Sequence, residues 1–372
     1  MTHPVVERIE RFVQGDLQAG PFEDLALEAF AFQFGRSEPF RRLCQYNGVT
    51  PDSVDDWNQI PAIPNSAFRH FALHTAEPRE VFRSSGTTSS TRSTHHHPFP
   101  DLYRKTIDCS FPKRCLSDEM REAGEVPILS LVPSRTTVPD SSLGFMVEHI
   151  LQTWGTPESC VAFDETAVNS PQAVAWCAAQ RDAGRPVLLI ATAFALVQLF
   201  EEAGDDLRLP EGSIVFETGG FKGKTRELSR AELRAEIETR LAVPPHRVVR
   251  EYGMTELTSQ FYTDVLRGGD GDLFVELPWL RARIVDPNTL TAVTPGATGL
   301  VGIFDLANVG SAIHLMTLDM GRAEEGGFRL LGRAAGANLR GCSLTVEEMR
   351  DSKRIGRSDL PKSARGQNVV PF

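Results

Sequence analysis

Apolar residues recur near every 3.6 positions at the start of this chain. In "PVVERIERFVQ" (4–14), "FEDLALEAFAFQFGR" (22–36) and "PFRRLCQYNG" (39–48) the spacing predicts three helices, each ended by glycine or polar breakers. A connector, "WNQIPAIPNSAFRHF" (57–71), leads to a segment crowded with serine and threonine. From about residue 126 the period switches back and forth. "VPILSLV" (126–132), "PVLLIA" (186–191) and "SIVFE" (213–217) are strand-like, whereas "SSLGFMVEHILQTWG" (141–155), "PQAVAWCAAQRDAG" (171–184) and "FALVQLFEEAG" (194–204) are helical. That alternation predicts an α/β fold with a parallel or mixed sheet covered by helices. Ser229 and Glu232 make a capping box that starts a helix at "AELRAEIETRLA" (231–242). Beyond about residue 270, "DLFVELP", "LRARIVD" and "GLVGIFDL" are short strands between Gly/Pro turns, which predicts a smaller β subdomain. The tail after about residue 350 is basic and polar, a composition expected to be partly disordered.

Composition narrows the chemistry. With 372 residues, 41% of them hydrophobic, the chain can bury a large core. Its net charge of −10 argues against a surface that embraces nucleic acid, so any phosphate chemistry is expected to concern small molecules. No apolar run reaches bilayer length, and the N-terminal stretch lacks the continuous apolar core of a secretion signal, so a cytoplasmic location without a membrane span is expected. The six cysteines, 44, 109, 115, 160, 177 and 342, show neither CxxC pairing nor zinc-ligand spacing. The triplet His95, His96 and His97 is a poor metal site, because adjacent side chains point in different directions; a ring beside a bound ligand fits it better.

Two glycine segments need comparison. "VFRSSGTTSSTRST" (81–94) has no acidic residue and can present backbone N–H and hydroxyl donors to several anionic oxygens, as a phosphate cradle does; ordinary flexible loops share that composition. "TGGFKGKT" (218–225) ends like a phosphate loop of the GxxxxGK[ST] type, but Thr218 stands where the first glycine belongs and the next helix begins several residues too late. Three further segments carry candidate chemistry: "EYGMTELTSQFY" (251–262) with Glu256, "TLDMGR" (317–322) with Asp319, and "LLGRAAGANLRGCSLTVEE" (330–348) with Arg333 and Cys342. Singly, each residue also reads as a turn former, a core ring or a solvated side chain.

Their order gives them meaning. A hydroxyl-rich SSGTT loop, a GG segment, YGxTE, an aspartate near β strands and then GR follow one another as in the adenylate-forming enzymes. The chain resembles that superfamily over nearly its full length, and most closely the branch containing phenylacetate-CoA ligase and the acyl-protein synthetase of bacterial bioluminescence. "SSGTTSS", "TGGFKGKTRELSR", "YGMTEL", "RGCSL" and "IPAIPNSAFRHF" carry the resemblance. It implies a large N-terminal domain (1–330: helical start 1–80, α/β core 81–270, β subdomain 271–330) and a truncated C-terminal segment (331–372). It also implies attack of a carboxylate on the α-phosphate of ATP, giving an acyl-adenylate and pyrophosphate, before a thiol takes the acyl group.

The resemblance assigns roles that suit each residue type. Ser84, Ser85, Gly86, Thr87, Thr88 and Ser89 would hold the β- and γ-phosphates. Glu256 would hold Mg²⁺, which prefers one or two carboxylates plus phosphate oxygens. Gly219, Gly220 and Tyr252 would line the adenine, with Tyr252 followed by the tight turn at Gly253, and Thr255 would sit by the α-phosphate. Asp319 would accept from both ribose hydroxyls and Arg333 would donate near the same sugar. Cys342 would be the acyl-accepting nucleophile, its thiolate favoured by Arg340. Implied partners are a carboxylic, chiefly fatty, acid and an acyl-accepting protein such as an acyl-CoA reductase. Alternatives are an acid–CoA ligase and a non-catalytic subunit that binds nucleotide or acyl groups. The chain departs from the wider superfamily in its C-terminal lysine: "LPKSARGQ" (360–367) arrives too early and carries Gln367, leaving Lys222, Lys224 and Arg340 as unranked substitutes.

Overall fold

Helix-period segments near the N-terminus bury their apolar faces on one sheet. A computed structural model of the protein describes residues 3–85, 92–204, 207–219, 228–334 and 349. Helix α1 (Pro4–Val13) starts on a proline, with His3 capping the Val5 N–H, and buries Val5, Val6, Ile9 and Val13. Helix α2 (Phe22–Arg36) and α3 (Glu38–Tyr46) follow. The connector then contributes β1 (Ile63–Pro64), which pairs in parallel with residues 315–316 far along the chain. Next, β2 (Glu80–Arg83) and β3 (Thr94–His97) pair antiparallel in a separate two-stranded sheet, on either side of the Ser/Thr-rich segment in the sequence.

Among the described residues, the alternating segment forms the parallel half of a twelve-stranded sheet. Helices α4 (Pro100–Cys115) and α5 (Asp118–Ala123) lead into β4 (Ile128–Ser130). Then come α6 (Ser142–Trp154), β5 (Cys160–Val161), α7 (Ser170–Ala183), β6 (Leu188–Thr192), α8 (Ala193–Glu202), β7 (Ile214–Thr218), α9 (Arg230–Leu241) and β8 (Val248–Tyr252). Successive strand residues point to opposite faces. Leu189, Ala191 and Val215 therefore pack in one core with α7, α8 and α9, while Leu188, Ile190, Ile214 and Phe216 pack in another with α4 and α6. The capping box of Ser229 and Glu232 forms as expected. Helix α4 was not foreseen: its pattern is weakly amphipathic and Pro112 lies inside it.

At β8 the strand direction reverses. Strands β9 (Phe261–Thr263), β10 (Leu273–Val275), β11 (Leu280–Val285), β12 (Thr298–Asp305), β13 (His314–Glu324) and β14 (Gly327–Arg333) extend the same sheet with antiparallel pairing. The order across the sheet is β5-β4-β6-β7-β8-β9-β10-β14-β13-β12-β11. The N-terminal helices pack on this antiparallel half, where Phe22 and Trp57 meet Phe304 edge to face. Buried Gln33 on α2 ties the layers, donating to the Asn308 and Val309 carbonyls at 3.1 and 3.0 Å and accepting from the Ile313 N–H at 3.2 Å. Among the described residues, no helix is long and apolar enough to cross a membrane.

Candidate functional site

Strands β7 and β8 end side by side, with Thr218 opposite Glu251, and at the carboxyl ends of parallel strands open sheets hold their ligands. Gly219 leaves β7 at φ +71°, a left-handed conformation that favours glycine. After β8 the chain turns at Gly253, where a side chain would collide with the Glu251 carboxyl. The segment 253–260 then returns as β9.

That segment is pinned from outside itself. His95 Nδ1 donates to the Thr255 carbonyl at 2.8 Å. Asn308 Nδ2 donates to the Glu256 carbonyl at 2.8 Å, and Thr106 on α4 donates to the Thr258 carbonyl at 2.8 Å. Asp305 accepts from the Thr258 N–H at 3.0 Å and the Ser259 hydroxyl at 2.8 Å. The Thr258 hydroxyl donates to Asn308 Oδ1 at 3.0 Å, so it must accept from His97 Nε2 at 2.9 Å. Burial holds the His95 ring down at about 4 and His97 well below the usual imidazole value, so both are neutral. Two histidines of the triplet thus brace the loop. His96 faces away, its ring centroid 5.6 Å from that of His74, and among the described residues no group of three His, Cys, Asp or Glu could hold a metal.

The loop presents Glu256, only 5% exposed. Burial pushes its carboxyl up, while a hydrogen bond from Ser93 and the charges of Arg69 and Arg333 favour the ionised form. Ser93 also connects Glu256 to the Ser/Thr-rich loop: its N–H donates to Ser84 Oγ at 3.0 Å, and its carbonyl accepts from the Ser84 N–H at 3.0 Å. Arg92 fastens the same base, donating to the Ser84 carbonyl and, at 3.0 and 3.2 Å, to Asp140.

A second cluster crosses three strands. Tyr252 donates its phenol proton to Asp319 Oδ2 at 2.8 Å. Arg333, opposite Asp319 in the β13–β14 register, places Nε 3.4 Å from Oδ1. The Thr317 hydroxyl holds the Asp319 N–H at 3.1 Å. Burial and the Asp319 charge push the Tyr252 phenol well above its usual value, so it stays a donor.

Of the residues picked from the sequence, Ser84, Ser85, Gly219, Tyr252, Gly253, Thr255, Glu256, Asp319 and Arg333 are described. Asp319 touches both Tyr252 and Arg333, and Ser84 reaches Glu256 through Ser93. Gly86, Thr87, Thr88, Ser89, Gly220 and Cys342 lie outside the described residues, as do Lys222, Lys224 and Arg340. Sequence reasoning missed Ser93, Asp305 and Asn308, and it singled out His95 and His97 as part of a triplet beside a ligand without foreseeing that they brace this loop. The histidine triplet was visible in the sequence, but its partners lie about 160 residues away.

The fold is that of the adenylate-forming enzymes. Crystal structures of 2-hydroxyisobutyryl-CoA ligase in complex with 2-HIB-AMP and CoA superpose with a TM-score of 0.61 for the open conformation, at 12% identity over 88% of this chain and 69% of theirs. A structure of ATP-bound MatB from Rhodopseudomonas palustris is similar at a TM-score of 0.48 and 16% identity over 68% of the chain, which spans about half of it (47%). The sequence pattern of the acyl-protein synthetases, LuxE, matches residues 14–350, and the chain belongs to that family of acid–thiol ligases. It is 23% identical to the long-chain-fatty-acid–luciferin-component ligase of Vibrio harveyi over 88% of each chain.

Proposed function

We propose that the protein joins a carboxylic acid, chiefly a fatty acid, to ATP and then passes the acyl group to a thiol. The observation that carries this reading is the Tyr252–Asp319–Arg333 cluster beside a loop that presents a buried glutamate. Asp319 keeps two charged oxygens within reach of a vicinal diol, and Tyr252 and Arg333 fix their direction. The segment from Ser84 to Ser89 takes the polyphosphate, and Gly219 and Gly220 pass the adenine without side chains in the way. In the first step a substrate carboxylate oxygen bonds to the α-phosphorus near Thr255, and pyrophosphate leaves with the bonding pair. In the second, the Cys342 thiolate bonds to the acyl carbon and AMP leaves. An acyl-accepting protein, as in the names of the family's luciferin-component ligases, then receives the acyl group.

The donor set fits Mg²⁺: a lone carboxylate suits an ion that takes its remaining ligands from phosphate and water, and a buried carboxyl is driven to ionise by a cation. When bound, Mg²⁺ would neutralise phosphate charge. Glu256 would hold it, and Asn308, His95 and Asp305 would keep Glu256 in place.

Acid-dependent exchange of labelled pyrophosphate into ATP tests the reading, with a panel of acids of different chain lengths. The protein should support exchange and Glu256→Gln should abolish it while far-ultraviolet dichroism is unchanged. Incubation with labelled acid should also leave a hydroxylamine-labile label that Cys342→Ser loses while retaining exchange. Near-normal exchange in Glu256→Gln would overturn the metal assignment, and acyl-CoA formed on adding CoA, without labelled protein, would favour an acid–CoA ligase.

A further inference from the structure

One buried acid near the site has no part in that scheme. Glu251 precedes Tyr252 on β8, but strand alternation turns it to the other face of the sheet, toward α4 and β9. It is 9% exposed. Its Oε2 accepts a hydrogen bond from the Thr218 hydroxyl, the last residue of β7 before the left-handed Gly219. Its Oε1 occupies the space that a side chain on Gly253 would need. One carboxyl therefore touches the ends of both parallel strands where their glycine turns begin.

We propose that Glu251 is a positioning residue that couples the Gly219 turn to the Gly253 turn, and that it does so as the uncharged acid. The proposal rests on the adenylation reading above, in which these turns flank the nucleotide. A shift of either turn moves Tyr252 or Gly219 against the bound base, and misplacement on the ångström scale costs about a hundredfold in rate.

The surroundings explain why the neutral form does this. Burial and the nearby Glu217 charge push Glu251 up to about 7, and the Thr218 hydroxyl offsets only part of that. Groups acting on it from the packed elements are Tyr103 and Cys115 of α4, Tyr262 of β9 and Glu217 of β7. Burial raises the two phenols and the thiol above their usual values, so they stay uncharged through neutrality. Glu217 lies on the opposite face, paired with Arg250 at 3.1 Å. Ionising Glu251 thus places in the core beneath Gly253 a charge that the Thr218 hydroxyl compensates only in part, and loosening of the turn would relieve it.

Three substitutions and two measurements test this. Pyrophosphate exchange in the wild type should decline as Glu251 ionises, between about pH 6 and 8. Glu251→Gln keeps an acceptor for Thr218 and cannot ionise, so it should keep the activity seen at the acid end of that range and show no such decline. Glu251→Ala and Glu251→Asp lose the reach to Thr218 and should lower kcat roughly tenfold or more, with KM for the acid little changed. Independently of any turnover, amide hydrogen exchange should speed up together at Gly219 and at 253–255 in Glu251→Ala but not in Glu251→Gln. A Glu251→Gln profile that superimposes on the wild type, or unchanged amide exchange in Glu251→Ala, would overturn the proposal. If the wild type shows no pyrophosphate exchange with any acid, the adenylation reading fails instead, and the amide measurement still decides whether Glu251 couples the turns.

Discussion

At the scale of the single residue, Asp319 illustrates how neighbouring donors aim a carboxylate. Its two oxygens are oriented by Tyr252 and Arg333, and in the proposed role, facing two ligand hydroxyls, the loss of this charged acceptor costs roughly 1.5–3 kcal/mol. Asp319→Ala is therefore expected to weaken ATP binding about tenfold to a hundredfold by titration calorimetry. Tyr252→Phe removes one donor to that carboxylate and should weaken binding less. An unchanged dissociation constant in Asp319→Ala would make the aspartate a strand residue only. Asp319, Tyr252 and Arg333 stood out in the sequence because their order along the chain resembles a family pattern, whereas their meeting around one carboxylate was visible only in the fold. Ser93 was not, although it stands inside the Ser/Thr-rich segment, because nothing in that run distinguishes the hydroxyl that reaches Glu256 from those around it.

Among the elements, the loop 253–260 shows where local pattern stops being informative. Helices α2, α6 and α7 and strands β6 and β7 were readable from their own residues, by helix-spaced apolar positions in the first three and short apolar runs in the strands. The loop's conformation is decided instead by β3, by α4 and by the segment 305–312, all distant in sequence. Asn308 is the densest of these contacts. It donates to the Glu256 and Ala312 carbonyls, both at 2.8 Å, and accepts from Thr258. Asn308→Ala leaves buried carbonyls without donors, at roughly 1–3 kcal/mol for an unsatisfied group. Urea unfolding should show that loss, and pyrophosphate exchange should fall further than stability alone explains. Full activity in a folded Asn308→Ala protein would mean that the loop holds its shape without this brace.

Over the whole molecule, buried titratable groups link the layers and set the response to acid. His314 on β13 donates through Nδ1 to the Ile60 carbonyl at 2.7 Å, joining the connector to the sheet, and burial lowers it to about 4. Its unfolded value is higher, so the unfolded chain binds the extra proton between about pH 6.5 and 4. The stability His314 contributes is complete above that window and is lost as pH falls through it. Asp305, raised by burial to about 6, acts in the opposite sense: the folded protein holds a proton that the unfolded chain releases, so stability declines as pH rises from about 4 to 6. His314→Gln should accordingly show a shallower loss of stability than the wild type between about pH 6 and 4, measured by urea midpoints. Parallel curves for the two proteins would show that His314 does not titrate on unfolding.

The reversal of strand direction between β8 and β9 makes the candidate site a seam. One side of the seam supplies Gly219, Tyr252 and the route to Glu256, and the other supplies Asp319, Arg333, Asp305 and Asn308. A seam cannot be inherited in halves. The parallel strands grafted onto another sheet would carry the recognisable glycine motifs and leave behind the groups that aim them. The antiparallel strands alone would keep an aspartate with no phenol to orient it. Recombination or design that treats either half as a portable module would therefore preserve the signature of the site and lose its geometry.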